Sequence, residues 1–291
     1  MNQSNKKFPW INLLLFVITF FTTVFFGAFH YISFYHPKLK EEEILNLFLS
    51  GKFFLYGLPF SLSLMIILLS HELGHYLACR RYGIEATLPY FIPAPTIIGT
   101  FGAFIKIKSY IYSRKALFDI GIAGPLTGFI VSLPFLFFGI KHSKLLQAPP
   151  EGSISLGDPL MFKFLYKLFF STKGTETILI HPIGFAAWVG LLVTSLNLMP
   201  VGQLDGGHIA YSLLGPRAKF LSAGMFGVII FLGLTKWSGW LIWAALLVIL
   251  GIRHPEFVYE DQLDGKRYFL TLVIILIFIL SFIPSPVIAG P

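Results

Sequence analysis

The chain has 291 residues, 55% of them apolar and only 12% charged, with 32 phenylalanines. Soluble domains carry about 25% charged residues, so this balance excludes an ordinary soluble globule and points to lipid as the main solvent. The net charge of +8 would suit nucleic acid, but no basic, aromatic-rich module stands outside the hydrophobic segments, and no nucleic-acid partner is expected.

A helix needs about 20 apolar residues to cross a bilayer core. The first such run spans Trp10 to Phe34. It is long and aromatic and lacks a small-residue cleavage site, so it reads as a retained anchor. The second spans Phe53 to Leu77, the third Ala116 to Ile140, and the fourth Pro182 to Met199. The stretch Phe220 to Leu250 is too long for one crossing; Lys236 and Gly239 mark a hairpin between a fifth and a sixth helix. A last run covers Tyr268 to Ile283. The expected fold is an all-α polytopic membrane protein with six to seven transmembrane helices.

Two connections break this pattern. Between Arg81 and Lys115, Pro89, Pro93 and Pro95 stop helix. The segment from Gly99 to Lys108 then mixes glycine with a two-residue alternation, which predicts a short membrane-associated β-hairpin between the second and third crossings. In the loop from Lys141 to His181, the run Pro159–Phe170 sets Lys163 and Lys167 four apart among Phe, Leu and Tyr. That spacing predicts an amphipathic helix on the membrane surface.

Orientation follows from Lys and Arg. With the N-terminus in the cytoplasm, every Arg (80, 81, 114, 217, 253, 267) falls inside, with Lys6, Lys7, Lys106, Lys108, Lys115, Lys219 and Lys266, while Lys38, Lys40, Lys52, Lys236 and five lysines between 141 and 173 fall outside. The lone Cys79 excludes an internal disulfide and a multi-Cys metal site. No polar linker divides the chain, so residues 1–291 read as one membrane domain, with a core at about 53–215 and further transmembrane helices in 216–291.

The chemistry-bearing segment is His71-Glu72-Leu73-Gly74-His75. Residues four apart stack on one helix face, so His71 and His75 can point imidazole nitrogens at a single ion. Zinc suits two imidazoles from one helical turn. Glu72, rotated by about 100 degrees, can lie beside the metal and accept a proton from the attacking water. The competing reading is an interfacial polar set with Glu72 paired to Arg80 or Arg81. Ionisable groups within a membrane helix are costly, which makes them functional candidates.

A third ligand is needed. Asp205 lies in Asn197-Leu198-Met199-Pro200-Val201-Gly202-Gln203-Leu204-Asp205-Gly206, where Pro200 ends the fourth helix and the glycines permit a sharp turn. It would reach the histidine pair from the same membrane side. His208 is the competing ligand. Asp119 reads as a structural partner of Arg114 or Lys115.

The helix-borne His-Glu-x-x-His and the later Asn-x-x-Pro-x-x-x-x-Asp-Gly resemble the two signatures of the site-2 protease family of intramembrane zinc metalloproteases (peptidase family M50). Ala123-Gly124-Pro125 and the glycine-rich apolar segment before it add to the likeness, which covers Phe60 to Ala210. No PDZ-like insertion separates the motifs. The resemblance implies that His71, His75 and Asp205 bind one Zn2+, that Glu72 is the general base, and that Asn197 hydrogen-bonds the substrate or its oxyanion. A cap or helix-to-helix bond is the alternative for Asn197.

The implied reaction is hydrolysis of peptide bonds in transmembrane or membrane-associated protein substrates. A helical substrate hides its amides and must unwind. Gly102, Ala103 and Phe104, on the predicted strand, are candidates to pair with it by β-augmentation. The compact form points to a bacterial plasma membrane. Two other classes remain in view: a metal-binding membrane transporter, although no internal repeat supports it, and a catalytically silent protein that captures helices, although Glu72 and the ligands are all present. The sequence carries no signal for oligomeric state.

Overall fold

The computed structural model describes residues 9–148, 155–170, 176–251 and 261–288. Lys6, Lys7, Lys173 and Arg253, which entered the charge argument, lie outside these residues.

Most of the described chain is helical. α1 (Trp10–Tyr35), α3 (Lys52–Arg81) and α4 (Arg114–Lys141) have 26, 30 and 28 residues. With the helical stretch Asp205–Thr235, they are the four helices among the described residues that are long and apolar enough to cross a membrane. Asp205–Thr235 comprises α7 (Asp205–Leu214), a single 3-10 turn at Gly215–Arg217, and α8 (Ala218–Thr235). The other expected crossings form shorter helices. α6 (Pro182–Asn197) has 16 residues, α9 (Gly239–Leu250) has 12 and α10 (Gly265–Ser281) has 17. The hairpin expected at Lys236 lies between α8 and α9. α5 (Leu160–Phe169) is helical as its lysine spacing predicts, burying Phe162, Leu165 and Tyr166.

Two helices were not anticipated: α7, which begins at the Asp205 segment read as a sharp turn, and a short one before α3. α2 (Glu41–Leu49) buries no residue. Its start is set by Lys40, whose backbone N–H donates to Glu43 at 2.8 Å, and by three glutamates in the first turn, where negative charge suits the helix dipole.

The helices pack as membrane helices do, through small residues and polar cross-links. A Cβ built on Gly57 of α3 would overlap the Val24 backbone of α1, and one on Gly139 of α4 would overlap Gly184 of α6. The Thr23 and Ser61 hydroxyls meet at 2.7 Å between α1 and α3. Large apolar side chains such as Trp10, Ile11, Leu14 and Phe21 of α1 stay exposed. Apolar surface of that extent marks a face built for another apolar phase, here lipid. The protein is an integral membrane protein on this composition and these helices.

The expected hairpin is present. β1 (Tyr90–Pro93) pairs antiparallel with β2 (Thr100–Phe104), with Tyr90 opposite Phe104 and Phe91 opposite Ala103. The register slips between Phe91 and Pro93, a bulge that accommodates a proline without a donor. Gly99 closes the turn at φ +82, with its Cα against the Thr22–Thr23 backbone where a side chain would not fit.

The hairpin lies along α1. Asn12 donates to the Leu88 carbonyl at 2.8 Å, Thr22 to the Gly99 carbonyl at 2.7 Å, and His30 Nε2 to the Ile97 carbonyl at 2.7 Å. Residues 12 and 30 of a helix are about 27 Å apart, so the ribbon reaches through much of the apolar layer. Its exposed carbonyls are met by polar side chains of α1, as apolar surroundings demand.

Two further strand pairs join distant segments. β3 (Lys144–Leu146) pairs with β5 (Thr177–Leu179), and β4 (Ser155–Leu156) with β6 (Val287–Ile288).

Candidate metal centre

α3 carries His71, Glu72 and His75 on the stretch that crosses the core, and all three are buried. Their imidazoles lie edge to face at 4.9 Å between centroids. The helix α6 ends at Asn197, and the chain turns through Pro200 and Gly202 before α7 begins at Asp205. Two glycines make this turn tight. Side chains at Gly206 and Gly207 would overlap the Leu198 and Gly202 carbonyls. The first turn of α7 therefore lies close against the loop, and Asp205 faces α3.

The result is a triangle of donor atoms. His75 Nε2 is 3.2 Å from His71 Nε2. Asp205 Oδ2 is 3.3 Å from His71 Nε2 and 3.2 Å from His75 Nε2. In a tetrahedral shell, ligand atoms are separated by about 1.6 times the ion–ligand distance. Such a triangle is therefore one face of a shell about 2.0 Å in radius, the range of Zn–N and Zn–O bonds. The donors also fit by type: two imidazoles and a carboxylate form a common three-ligand zinc set that leaves one position for water or substrate. The residues present fit a zinc ion. Among the described residues, this is the one cluster of three His, Cys, Asp or Glu side chains close enough to share an ion. His208 is not part of it; its Cβ faces Gly121 of α4 instead.

α4 forms the wall behind the imidazoles. A Cβ on Gly124 would overlap the His75 ring, and one on Gly128 would lie 3.0 Å from His71 Nδ1. Thr127 reinforces the contact by donating to the Ser70 carbonyl of α3 at 3.1 Å. His75 Nδ1 donates to the Ile120 carbonyl at 2.7 Å. That bond fixes the tautomer and leaves the Nε2 lone pair towards Asp205 and His71, the role outer hydrogen bonds play at metal sites.

Glu72 forms no ion pair with Arg80 or Arg81 among the described residues. Arg80 donates to the Tyr76 hydroxyl at 3.2 Å instead. The Glu72 carboxylate lies near the Ile105 backbone, just beyond β2. Asn197 Nδ2 is 3.3 Å from His71 Nε2, at the rim of the cluster. Gly102, Ala103 and Phe104 lie on β2, which has β1 as its one strand partner in the described residues. Gly102 is buried, Ala103 half-buried and Phe104 exposed.

One expected pairing is corrected. Asp119 binds Arg267 of α10, not Arg114 or Lys115: Arg267 Nε and Nη2 donate to its two oxygens at 2.8 and 2.6 Å. The backbone N–H groups of Arg114 and Lys115 are instead held by Asp261, at 2.7 and 3.0 Å. Residues 148 apart in sequence gave no local signal for this pair. The glycines at 121, 124 and 128 did carry one, because their spacing marks one helix face made smooth for close contact.

The family model described as peptidase family M50 matches residues 59–235, more than half of the chain. The chain is 32% identical over 233 residues to the probable zinc metalloprotease EGY1, chloroplastic, of Oryza sativa subsp. japonica, covering 72% of this chain and 38% of the relative. It is 32% identical over 270 residues to the Arabidopsis thaliana protein of the same name (84% and 47%), and 30% over 258 residues to the probable zinc metalloprotease EGY2, chloroplastic, of that plant (84% and 45%). The chain thus spans less than half the length of these relatives. Both His-Glu-x-x-His and the Asp205 segment fall within the matched region, and the chain belongs to peptidase family M50.

Proposed function

We propose that this chain is an intramembrane zinc metalloendopeptidase that cleaves peptide bonds in or near transmembrane segments of other membrane proteins. The observation that carries this reading is the triangle of His71, His75 and Asp205 with edges of 3.2 to 3.3 Å, buried within apolar helices and flanked by Glu72. His71, His75 and Asp205 would hold the ion. Zinc, when bound, supplies Lewis acidity and lowers the pKa of a coordinated water to about 7. Glu72 accepts the proton of the attacking water and passes it to the nitrogen of the leaving amine. Asn197 offers an amide to the substrate carbonyl from the rim.

The free edge of β2 supports a path for the substrate. A transmembrane helix must surrender its internal hydrogen bonds before cleavage. An extended segment pairing beside Gly102, Ala103 and Phe104 would regain them. The Ile105 backbone, next along that edge, lies near Glu72, so a peptide seated there would lie beside the base.

The Arg distribution supports a cytoplasmic N-terminus, with the Arg81 end of α3 and the metal cluster towards that side. A bacterial plasma membrane stays the proposed location, testable by reporter fusions at the loops. The absence of a long polar linker supports a single membrane domain over 1–291. One experiment separates an enzyme from a transporter or a silent helix-binder: cleavage of a panel of single-pass peptides by wild type and Glu72→Gln in detergent. The expected outcome is loss of cleavage by about 100-fold or more with zinc content unchanged. Cleavage that survives the substitution refutes the proposal.

A further inference from the structure

α10 lies outside the region matched to the family, yet its first turn is fastened to the helix that lines the metal cluster. Arg267 is the fastening. Its Nε and Nη2 form a two-point bond to the Asp119 carboxylate at 2.8 and 2.6 Å, and Nη2 also donates to the Tyr82 hydroxyl at 3.1 Å. Tyr82 in turn donates to Asp119 Oδ2, and Arg267 Nη1 donates to Asp264. Three helices meet at one guanidinium: Tyr82 at the end of α3, Asp119 in α4, and Arg267 in α10. The Arg267 side chain is only 13% exposed. Planar two-point bonds of this kind fix orientation as well as distance.

The residue after Asp119 is Ile120, whose carbonyl accepts from His75 Nδ1 at 2.7 Å. We propose that Arg267 is a positioning residue of the metal centre, acting through Asp119 and the Ile120 carbonyl to orient the His75 imidazole. This rests on the zinc-site reading above. The physical reason is direct. An Asp119 left without its cation would be costly at this depth and would turn towards water or towards Lys115. The α4 turn that carries it would follow, and the Ile120 carbonyl would leave the line of His75 Nδ1. Outer groups that orient a ligating histidine are worth about 10- to 100-fold in metal affinity.

The test uses the full chain in detergent. Zinc affinity is measured by competition with a chromophoric chelator, and the visible absorption bands of Co2+ in the same site report its ligand field. Arg267→Gln should weaken zinc binding by about 10- to 100-fold and shift the cobalt bands. Arg267→Lys, which keeps one charged donor, should recover part of the affinity. Lys266→Gln, the sequence neighbour, should match wild type. A general loss of folding lowers the bound fraction without moving the cobalt bands. If Arg267→Gln does not fold, Tyr82→Phe should give a smaller weakening in the same direction. Wild-type zinc affinity and cobalt bands in the folded Arg267→Gln protein, or in Tyr82→Phe where that is the variant measured, overturn the inference alone. A wild-type chain that binds no zinc overturns the zinc-site reading and this inference together.

Discussion

The contact between Gly124 and His75 gives a demanding prediction. Gly124 sits in the middle of α4, and a Cβ there would lie inside the van der Waals envelope of the His75 imidazole. Gly124→Ala adds a single methyl group and is otherwise favourable to a helix. To restore ordinary contact the ring must retreat by about 1 Å or more. Metal sites tolerate ligand displacements of about 0.2 Å, so the His75 donor is lost from the triangle. Relaxation of α4 away from α3 would also undo the Thr127 to Ser70 hydrogen bond at 3.1 Å. Overpacking of this kind costs about 1–3 kcal/mol, and one lost ligand adds to it. The expected outcome is at least a 100-fold loss of zinc affinity, measured by chelator competition on detergent-purified protein. Gly224→Ala in α8 is the control: an added Cβ there meets nothing within 4 Å, and the variant should bind zinc within a few-fold of wild type. A Gly124→Ala protein that holds zinc as wild type does would refute the packing argument.

Other outcomes follow from the same geometry. Proline at Ala103 or Phe104 removes a backbone donor from β2 and should impair cleavage while leaving zinc content intact; unchanged cleavage counts against the strand-pairing path. Asp205→Asn should weaken zinc binding at least tenfold in the chelator assay, whereas His208→Asn should leave it within a few-fold. Acid should destabilise the fold through His181. Its Nδ1 accepts from the Ile183 N–H at 3.2 Å and caps α6, and Nε2 meets the Tyr35 hydroxyl at 2.9 Å. Burial, then the nearby His142 and Lys144, pulls its pKa from 6.5 down to about 4. Between those two values the unfolded chain binds the extra proton, so stability falls as pH falls from 6.5 towards 4. His181→Asn keeps a capping side chain without that titration and should flatten this part of the Tm profile. A profile unchanged by the substitution excludes His181 as the source.

The site was legible because its chemistry is local. His71 and His75 are one helical turn apart, and any helix places them together. The Asp205 segment was readable from Pro200 and the glycines that fold it back. The α1, α3 and α4 runs were set by apolar length, and β2 by alternation after Gly99. What escaped notice depends on distance in the chain. Asp119 had two basic neighbours in sequence, yet the guanidinium that reaches it comes from Arg267, brought by α10. The pairs β3–β5 and β4–β6 join short segments whose register is set by tertiary contact. α2 is brief, and its signal is a run of three glutamates at its start rather than apolar periodicity. α6, α9 and α10 keep close to their apolar runs: α6 starts at Pro182 and stops two residues before Met199, α9 starts at Gly239 after the break at Lys236, and α10 starts three residues before Tyr268 and ends two before Ile283.

The most direct test of the central claim is X-ray absorption at the zinc edge on the purified chain. The account predicts one zinc per chain, with two imidazoles and oxygen ligands at about 2.0 Å, and a changed shell in Asp205→Asn and in His71→Gln. A chain that holds no zinc, or a zinc shell identical in wild type and in both variants, would contradict it.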